Sequence, residues 1–415
     1  MTTNLCPIRL DPTGRDVHAE SERLRTQGPV AQVEMPHGVV GWSVTSYALV
    51  KELLSDPRIS KDPRRHWPAY INGEIGADWP LNSWIEMDNM TTRHGTEHVR
   101  LRKQIAKAFS PRRTEAMRPQ VEKIVARLLE ELAATAPGEV VDLKQRFSFR
   151  LPALVICDLF GVPEADRAKA LRGGEIAVDT SVTPEEAEAN VRDWMATFDR
   201  LIELKRRTPA DDLASDLISA VDADGSRLTH SELVGTLFLF LSAGSETLMN
   251  LLTSAVRELL LHPDQLELVR TGRASWDDVI EETLRVESPI AQLPLRFAKE
   301  DIEVGGVTIS KGDPILVGFA GAGRDPQLHG PTAHNFDITR ASKEHLSFGH
   351  GPHFCIGAPL ARLEADIALP ALFDRFPNMS LAVPPDQLRP QVTFIMNGNY
   401  SLPVHLTAPV RTPTG

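Results

Sequence analysis

Hydrophobic positions recur at helical spacing over residues 114–134, 183–205, 229–261 and 276–285, the recurrence expected where one face of a helix is buried. The third stretch is long and strongly apolar. Shorter alternating runs at 31–35, 302–309 and 400–406, next to the turn signals Gly305-Gly306 and Lys311-Gly312, predict strands. The pattern predicts a mainly α fold with small β-sheets. Because it shows no internal repeat or linker, it is read as one domain over 1–415, with tails at 1–10 and 408–415. Two irregular stretches, 62–95 and 172–183, are candidate lids over a site, since long ordered loops in a compact domain are usually functional.

The chain's 415 residues, 42% of them hydrophobic, are enough to bury a large core. Its three cysteines, Cys6, Cys157 and Cys355, are far apart and lack the paired spacing of a disulfide framework or a zinc site. A reducing, cytoplasmic setting follows as the expectation. The first ten residues lack the apolar core of a signal peptide, and no run of about 18 uninterrupted apolar residues occurs, so no membrane partner is expected. A formal net charge of -11 argues against nucleic-acid binding.

One cysteine stands in a distinctive loop, Phe348-Gly349-His350-Gly351-Pro352-His353-Phe354-Cys355-Ile356-Gly357, just before a helical stretch that begins near Ala358-Pro359. Glycines let a backbone pass close beneath a flat cofactor. The following helix N-terminus offers amide donors and a positive dipole end that favour a thiolate. A single cysteinate is the axial ligand that directs haem iron toward O–O cleavage, whereas zinc would need more ligands nearby. An isolated cysteine in a Gly-rich turn is usually inert. Five fixed positions, Phe348, Gly351, His353, Cys355 and Gly357, would nevertheless arise together by chance in only about one such chain in ten thousand.

This loop resembles the cysteine-ligand loop of cytochromes P450, and Ala358-Pro359-Leu360-Ala361-Arg362 resembles the soluble bacterial branch. Pro352 stands where many relatives carry an aliphatic residue. The resemblance implies haem b, with Cys355 as iron ligand, held between a long central helix and the cysteine-loop helix. It also implies that Glu282 and Arg285, about seventy residues before the cysteine, form with Arg340 a buried network bracing the loop. Within Leu241-Ser242-Ala243-Gly244-Ser245-Glu246-Thr247, it makes Thr247 the partner of iron-bound oxygen and Glu246 its proton source. A mid-helix glycine costs about 1 kcal/mol against alanine, so Gly244 suggests a close approach to the helix backbone. Ala243 and Gly244 are therefore placed against the cofactor, together with Phe348 and Gly357.

Haem propionates need cationic or hydrogen-bonding partners, and the resemblance supplies His98, Arg102, Arg296 and His353. Ahead of the first pair, Arg93-His94-Gly95-Thr96 stands where the family usually has a Pro-rich lead. Arg100, Lys103, Lys107, Arg112 and Arg113 form a basic cluster in an acidic chain. A charge run is usually a solvated face, but here the resemblance implies a docking face for an acidic ferredoxin. With no flavin or iron-sulfur domain fused to the chain, electrons are expected from NAD(P)H through a separate ferredoxin reductase and ferredoxin.

By family position, the substrate pocket is assigned to Leu239, Ser242 and Ala243, to Ile290, Ala291 and Leu293, and to Phe394, Ile395 and Met396. This mostly apolar set suits a hydrophobic, medium to large substrate. The run from Arg285 to Arg296 looks closest to members that hydroxylate steroids or macrocyclic polyketides. Epoxidation, oxidative coupling, peroxide-driven oxidation and a haem protein that only binds ligands all stay open as alternatives to dioxygen-dependent hydroxylation.

Overall fold

The computed structural model describes residues 6–76, 79–106, 109–169, 183–221 and 225–407. Its longest helix, His230–Leu261, begins at a capping box in which Thr229 accepts from the Glu232 amide and Glu232 accepts from the Thr229 amide. That reciprocal pairing satisfies two donors that a helix start leaves open. The helix is long and apolar enough to cross a bilayer, but 72% of its apolar window is buried within the protein. It runs through the largest core, where Arg150–Leu159, Trp276–Val286 and Ala358–Arg375 pack around it. At Gly244 a Cβ would meet the Ile156 side chain at 3.0 Å, so the close approach expected there comes at least partly from the neighbouring helix Arg150–Leu159.

The expected stretch 114–134 is two helices, Pro111–Ala116 and Arg118–Ala133, separated at Met117. Pro119, in the first turn of the second helix, accounts for the break, because it has no N–H to donate to the preceding turn. The run at 31–35 forms the strand Val30–Glu34, 302–309 forms the hairpin Ile302–Val304 with Val307–Ile309, and 400–406 holds the strand Pro403–His405. Residues 1–10 are not wholly a tail: Ile8–Arg9 pairs in parallel with Val33 and Glu34, and Leu10 is buried. This edge strand opens a six-stranded sheet that ends Pro314–Gly318, Gln292–Ala298, Ile59–Ser60.

Only part of the candidate lid at 62–95 behaves as a covering loop. It folds into the short helices Pro63–His66, Pro68–Ile71 and Ser83–Glu86, and Trp67, Trp79, Leu81 and Ile85 are buried in a second core with Phe297, Phe394 and Ile395. Trp67 stacks on Phe297 with centroids 5.2 Å apart. The rest turns toward the site described next. The other candidate lid lies, apart from Thr183, outside the described residues.

Candidate active site

The cysteine loop is held by its own backbone. The Cys355 amide donates to the Phe348 carbonyl at 2.8 Å, and the Gly349 amide donates to Leu346 at 2.7 Å. Gly351 has φ +68°, and a Cβ there would lie 2.8 Å from the Leu54 carbonyl, so only glycine fits. A Cβ on Gly357 would come no closer than 3.9 Å to the Cys355 sulfur; that glycine opens space in front of the thiol. The accessible surface of Cys355 faces an internal cavity of about 300 Å³.

Behind the loop lies the helix Trp276–Val286. Arg285 and Glu282 are both fully buried and pair through two bonds of 2.6 and 2.7 Å. Arg340 Nε lies 3.6 Å from the same carboxylate, which also accepts the Asp337 amide at 2.9 Å. The brace reaches the cysteine loop through Ser347, whose hydroxyl bonds to the Leu284 carbonyl and lies 2.9 Å from the Ser288 hydroxyl. A pair beside this network, Glu281 and Arg362, presses the Arg362 guanidinium onto the Phe348 ring, 4.5 Å from its centroid.

Across the cavity from Cys355, the long helix contributes Leu239, Ser242, Ala243, Gly244, Glu246 and Thr247 to the wall. The Thr247 hydroxyl bonds to the Ala243 carbonyl at 2.9 Å, and the buried Glu246 carboxylate accepts from Gln391. One cavity thus holds a cysteine sulfur on one side and an acid-alcohol pair on another.

The cytochrome P450 family pattern matches residues 276–402. Over 402 residues, covering 97% of this chain and 98% of the relative, the chain is 54% identical to 2-hydroxy-5-methyl-1-naphthoate 7-hydroxylase of Streptomyces carzinostaticus. It is 40% identical to 6-deoxyerythronolide B hydroxylase of Saccharopolyspora erythraea, covering 97% of this chain and 99% of that one. The chain belongs to the cytochrome P450 family. Among solved P450 structures, CYP154A1 from Streptomyces coelicolor A3(2) superposes with a TM-score of 0.91 at 47% identity, covering 96% of this chain and 100% of that one.

This P450 is therefore a monooxygenase of a family whose members carry haem iron on a cysteine thiolate, and its cavity fits that group. His98, Arg102, Arg296 and His353 all line one edge. Arg296 Nη1 and His98 Nε2 are buried without a hydrogen-bond partner, which leaves donors for an anion. Burial lowers the Arg296 pKa to about 10. Burial, with the nearby Arg102 charge, lowers His98 to about 4, and His353, its ring 4.0 Å from that of His98, is shifted in the same direction. Arg102 donates to the Phe354 carbonyl at 2.7 Å.

Two opposing effects act on the thiol itself. Burial raises the Cys355 pKa, outweighing the Gly357 and Ala358 amides and the charges of Arg102 and Arg362, which lower it. The helix terminus is in place, but it does not overcome desolvation; the metal's own charge is what deprotonates a coordinating thiol.

Three pocket assignments need correcting. Ala291, Phe394 and Ile395 are completely buried in core clusters and do not line the cavity, whereas Ile290, Leu293 and Met396 do. In extended backbone, neighbouring side chains point to opposite faces, so Ile290 and Met396, which pair across an isolated bridge, turn inward while Ala291 and Ile395 turn away. Phe394 packs with the tryptophan cluster. The basic cluster is also less free than its sequence suggests: Arg100 pairs with Glu232 and Arg113 with Asp216 at 2.7 Å, Lys103 and Arg112 are exposed, and Lys107 lies outside the described residues.

Further residues went unread in the sequence. Glu364 is buried, lines the cavity and is held protonated well above the usual carboxylate range by burial. Its signal was a carboxylate inside the apolar stripe Leu360, Leu363, Ala368. Gln391, the partner of Glu246, and Lys61, Trp84, Asn89 and Thr91 on the cavity wall left no local signature.

Proposed function

We propose that this P450 binds haem b through Cys355, with the propionates against His98, Arg102, Arg296 and His353, and hydroxylates a hydrophobic aromatic or polyketide-derived substrate with electrons from a ferredoxin and its reductase. The observation that carries the reading is the single cavity that faces the Cys355 sulfur, is edged by cations with open donors, and is closed by Glu246 and Thr247. When bound, the haem iron supplies dioxygen activation and transfer of one oxygen atom.

The chain's own residues do the rest. The Thr247 hydroxyl, donating to Ala243, turns its oxygen toward the cavity, where it can accept a hydrogen bond and relay a proton. Glu246, held by Gln391, is positioned to resupply that proton from the protein side of the helix. Leu239, Ile290, Leu293 and Met396 keep water out and set which part of the substrate faces the reacting centre.

A flat aromatic substrate is favoured by the naphthoate hydroxylase relative and by Trp84 and Phe238 on the wall, rings suited to offset stacking. A macrocyclic polyketide is the second reading, favoured by the 6-deoxyerythronolide B hydroxylase relative. Val99, 62% exposed, and Lys103, one turn along the same helix, present an apolar and basic surface next to the Arg102–Phe354 contact, suited to an acidic ferredoxin.

The test is the absorption spectrum of the reduced, carbon monoxide-bound protein, followed by turnover of a panel of naphthoates, macrolactones and steroids with NADPH, ferredoxin and reductase under labelled dioxygen. A red-shifted Soret band and a product carrying one labelled oxygen are expected. A haem-loaded protein without that band overturns the thiolate assignment, and equal turnover with peroxide alone overturns the ferredoxin route.

A further inference from the structure

The cationic edge of the cavity holds one charge that no motif announced. The strand Ile59–Ser60 runs antiparallel to Gln292–Ala298, with Ile59 opposite Ala298 and Ser60 opposite Phe297. One step further along this register brings Lys61 opposite Arg296. Both side chains line the cavity. Like charges directly opposite on a strand pair are destabilising, so the arrangement calls for a compensating anion.

Protein carboxylates do not supply it. Among the described residues, Lys61 has no hydrogen bond or ion pair, and Arg296 Nη1 is buried without an acceptor. The adjacent Asp62 is turned the other way; it accepts from the Arg64 amide and lies 3.3 and 3.8 Å from the side chains of Arg64 and Arg65. Of the acids on the cavity wall, Glu246 is held by Gln391 and Glu364 is kept neutral by burial. Arg102 already spends a donor on the Phe354 carbonyl. Burial and the Arg296 charge both push the Lys61 pKa down, as expected of an ammonium that lacks its counter-ion.

We propose that Lys61 is a further anchor for the haem, its ammonium and the Arg296 guanidinium sharing one propionate carboxylate across the strand pair. The assignment rests on the haem reading above. The carboxylate turns a like-charge pair into a clamp, joining the start of the covering segment at Asp62 to the sheet that carries Arg296.

Haem release to excess haem-free myoglobin, followed in the Soret region, tests it on the holoenzyme. Lys61→Met and Lys61→Gln are expected to release haem about tenfold faster or more, the effect of losing a charge-assisted hydrogen bond. Lys61→Arg is expected to restore the wild-type rate. The carbon monoxide spectrum of each variant should keep the thiolate band, since the ligand loop is untouched; a packing defect would disturb that band or escape rescue by arginine. Wild-type release rates in either neutral variant overturn the role of Lys61. Absence of the thiolate band in the wild-type protein overturns the haem reading instead, so the two failures are distinguishable.

Discussion

On the cysteine side of the cavity, every N–H of the Arg285 guanidinium is used: two bonds go to Glu282 and three to the carbonyls of Gly323, Ala333 and Asn335. On the opposite side, the Ser242 and Thr247 hydroxyls bond back to their own helix, to Phe238, Leu239 and Ala243, and Leu239 offers only apolar contact. A network satisfied on all sides has one arrangement and resists change, because any lost partner leaves a charge buried. A wall of apolar groups and locally satisfied hydroxyls tolerates exchange and can be reshaped to a new substrate. This P450 therefore keeps its chemistry constant on the cysteine side and its selectivity on the opposite wall.

The largest effect is expected on the cysteine side. Glu282→Gln or Arg285→Met should lower stability by about 3–5 kcal/mol, a large part of the roughly 5–15 kcal/mol that holds a typical domain together. Urea unfolding of the purified variants, followed by circular dichroism and haem absorbance together, checks this. A loss below about 1 kcal/mol would show that the brace is redundant. Thr247→Ala, on the opposite wall, should leave the urea midpoint close to wild type, yet lower product formation by about a hundredfold while NADPH consumption continues. Product per NADPH is the readout, and unchanged coupling would remove Thr247 from the proposed proton route.

A smaller effect separates the core of the brace from its margin. Burial raises the Glu281 carboxyl, but hydrogen bonds from His345 and Arg362 outweigh it and bring the pKa to about 2. Because the folded pKa lies below the unfolded one, the stabilisation is complete above about pH 4.5 and is lost as pH falls through that value toward 2. Allowing for partial exposure, the group contributes on the order of 2 kcal/mol. Wild type and Glu281→Gln should therefore differ in urea midpoint at pH 7 and converge as the pH is lowered; a constant difference would rule out the titration.

What could be read in advance divides along the same line. The cysteine loop and the Glu282–Arg285 spacing are local patterns whose chemistry is written in adjacent residues, and the long helix was legible because its apolar periodicity is also local. Ala291, Phe394 and Ile395 were misassigned because facing direction in an extended segment changes with every residue and depends on pairing to a distant strand. Lys61 and Gln391 were invisible for the same reason: each acquires its neighbour only through long-range contact, Lys61 beside Arg296 and Gln391 on Glu246. At Cys355 the helix donors that lower the thiol pKa show in a sequence, while the burial opposing them does not.

The smallest expected change in stability carries the sharpest test of the comparison. Leu239 is only partly buried, packs against the edge of the main core and faces the cavity, so Leu239→Ala removes contacts with a ligand and only part of a core leucine's packing. Its cost in the urea experiment should be about 1 kcal/mol, below the usual 2–5 kcal/mol for a leucine truncated in a core. Substrate affinity, read from the spin-state change on titration, should weaken severalfold, and the ratio of hydroxylated positions should shift, with haem content and the thiolate band unchanged. If the variant instead loses haem or several kcal/mol of stability, the apolar wall is as tightly constrained as the brace, and selectivity must be sought in the covering segment around Trp84 and Thr91.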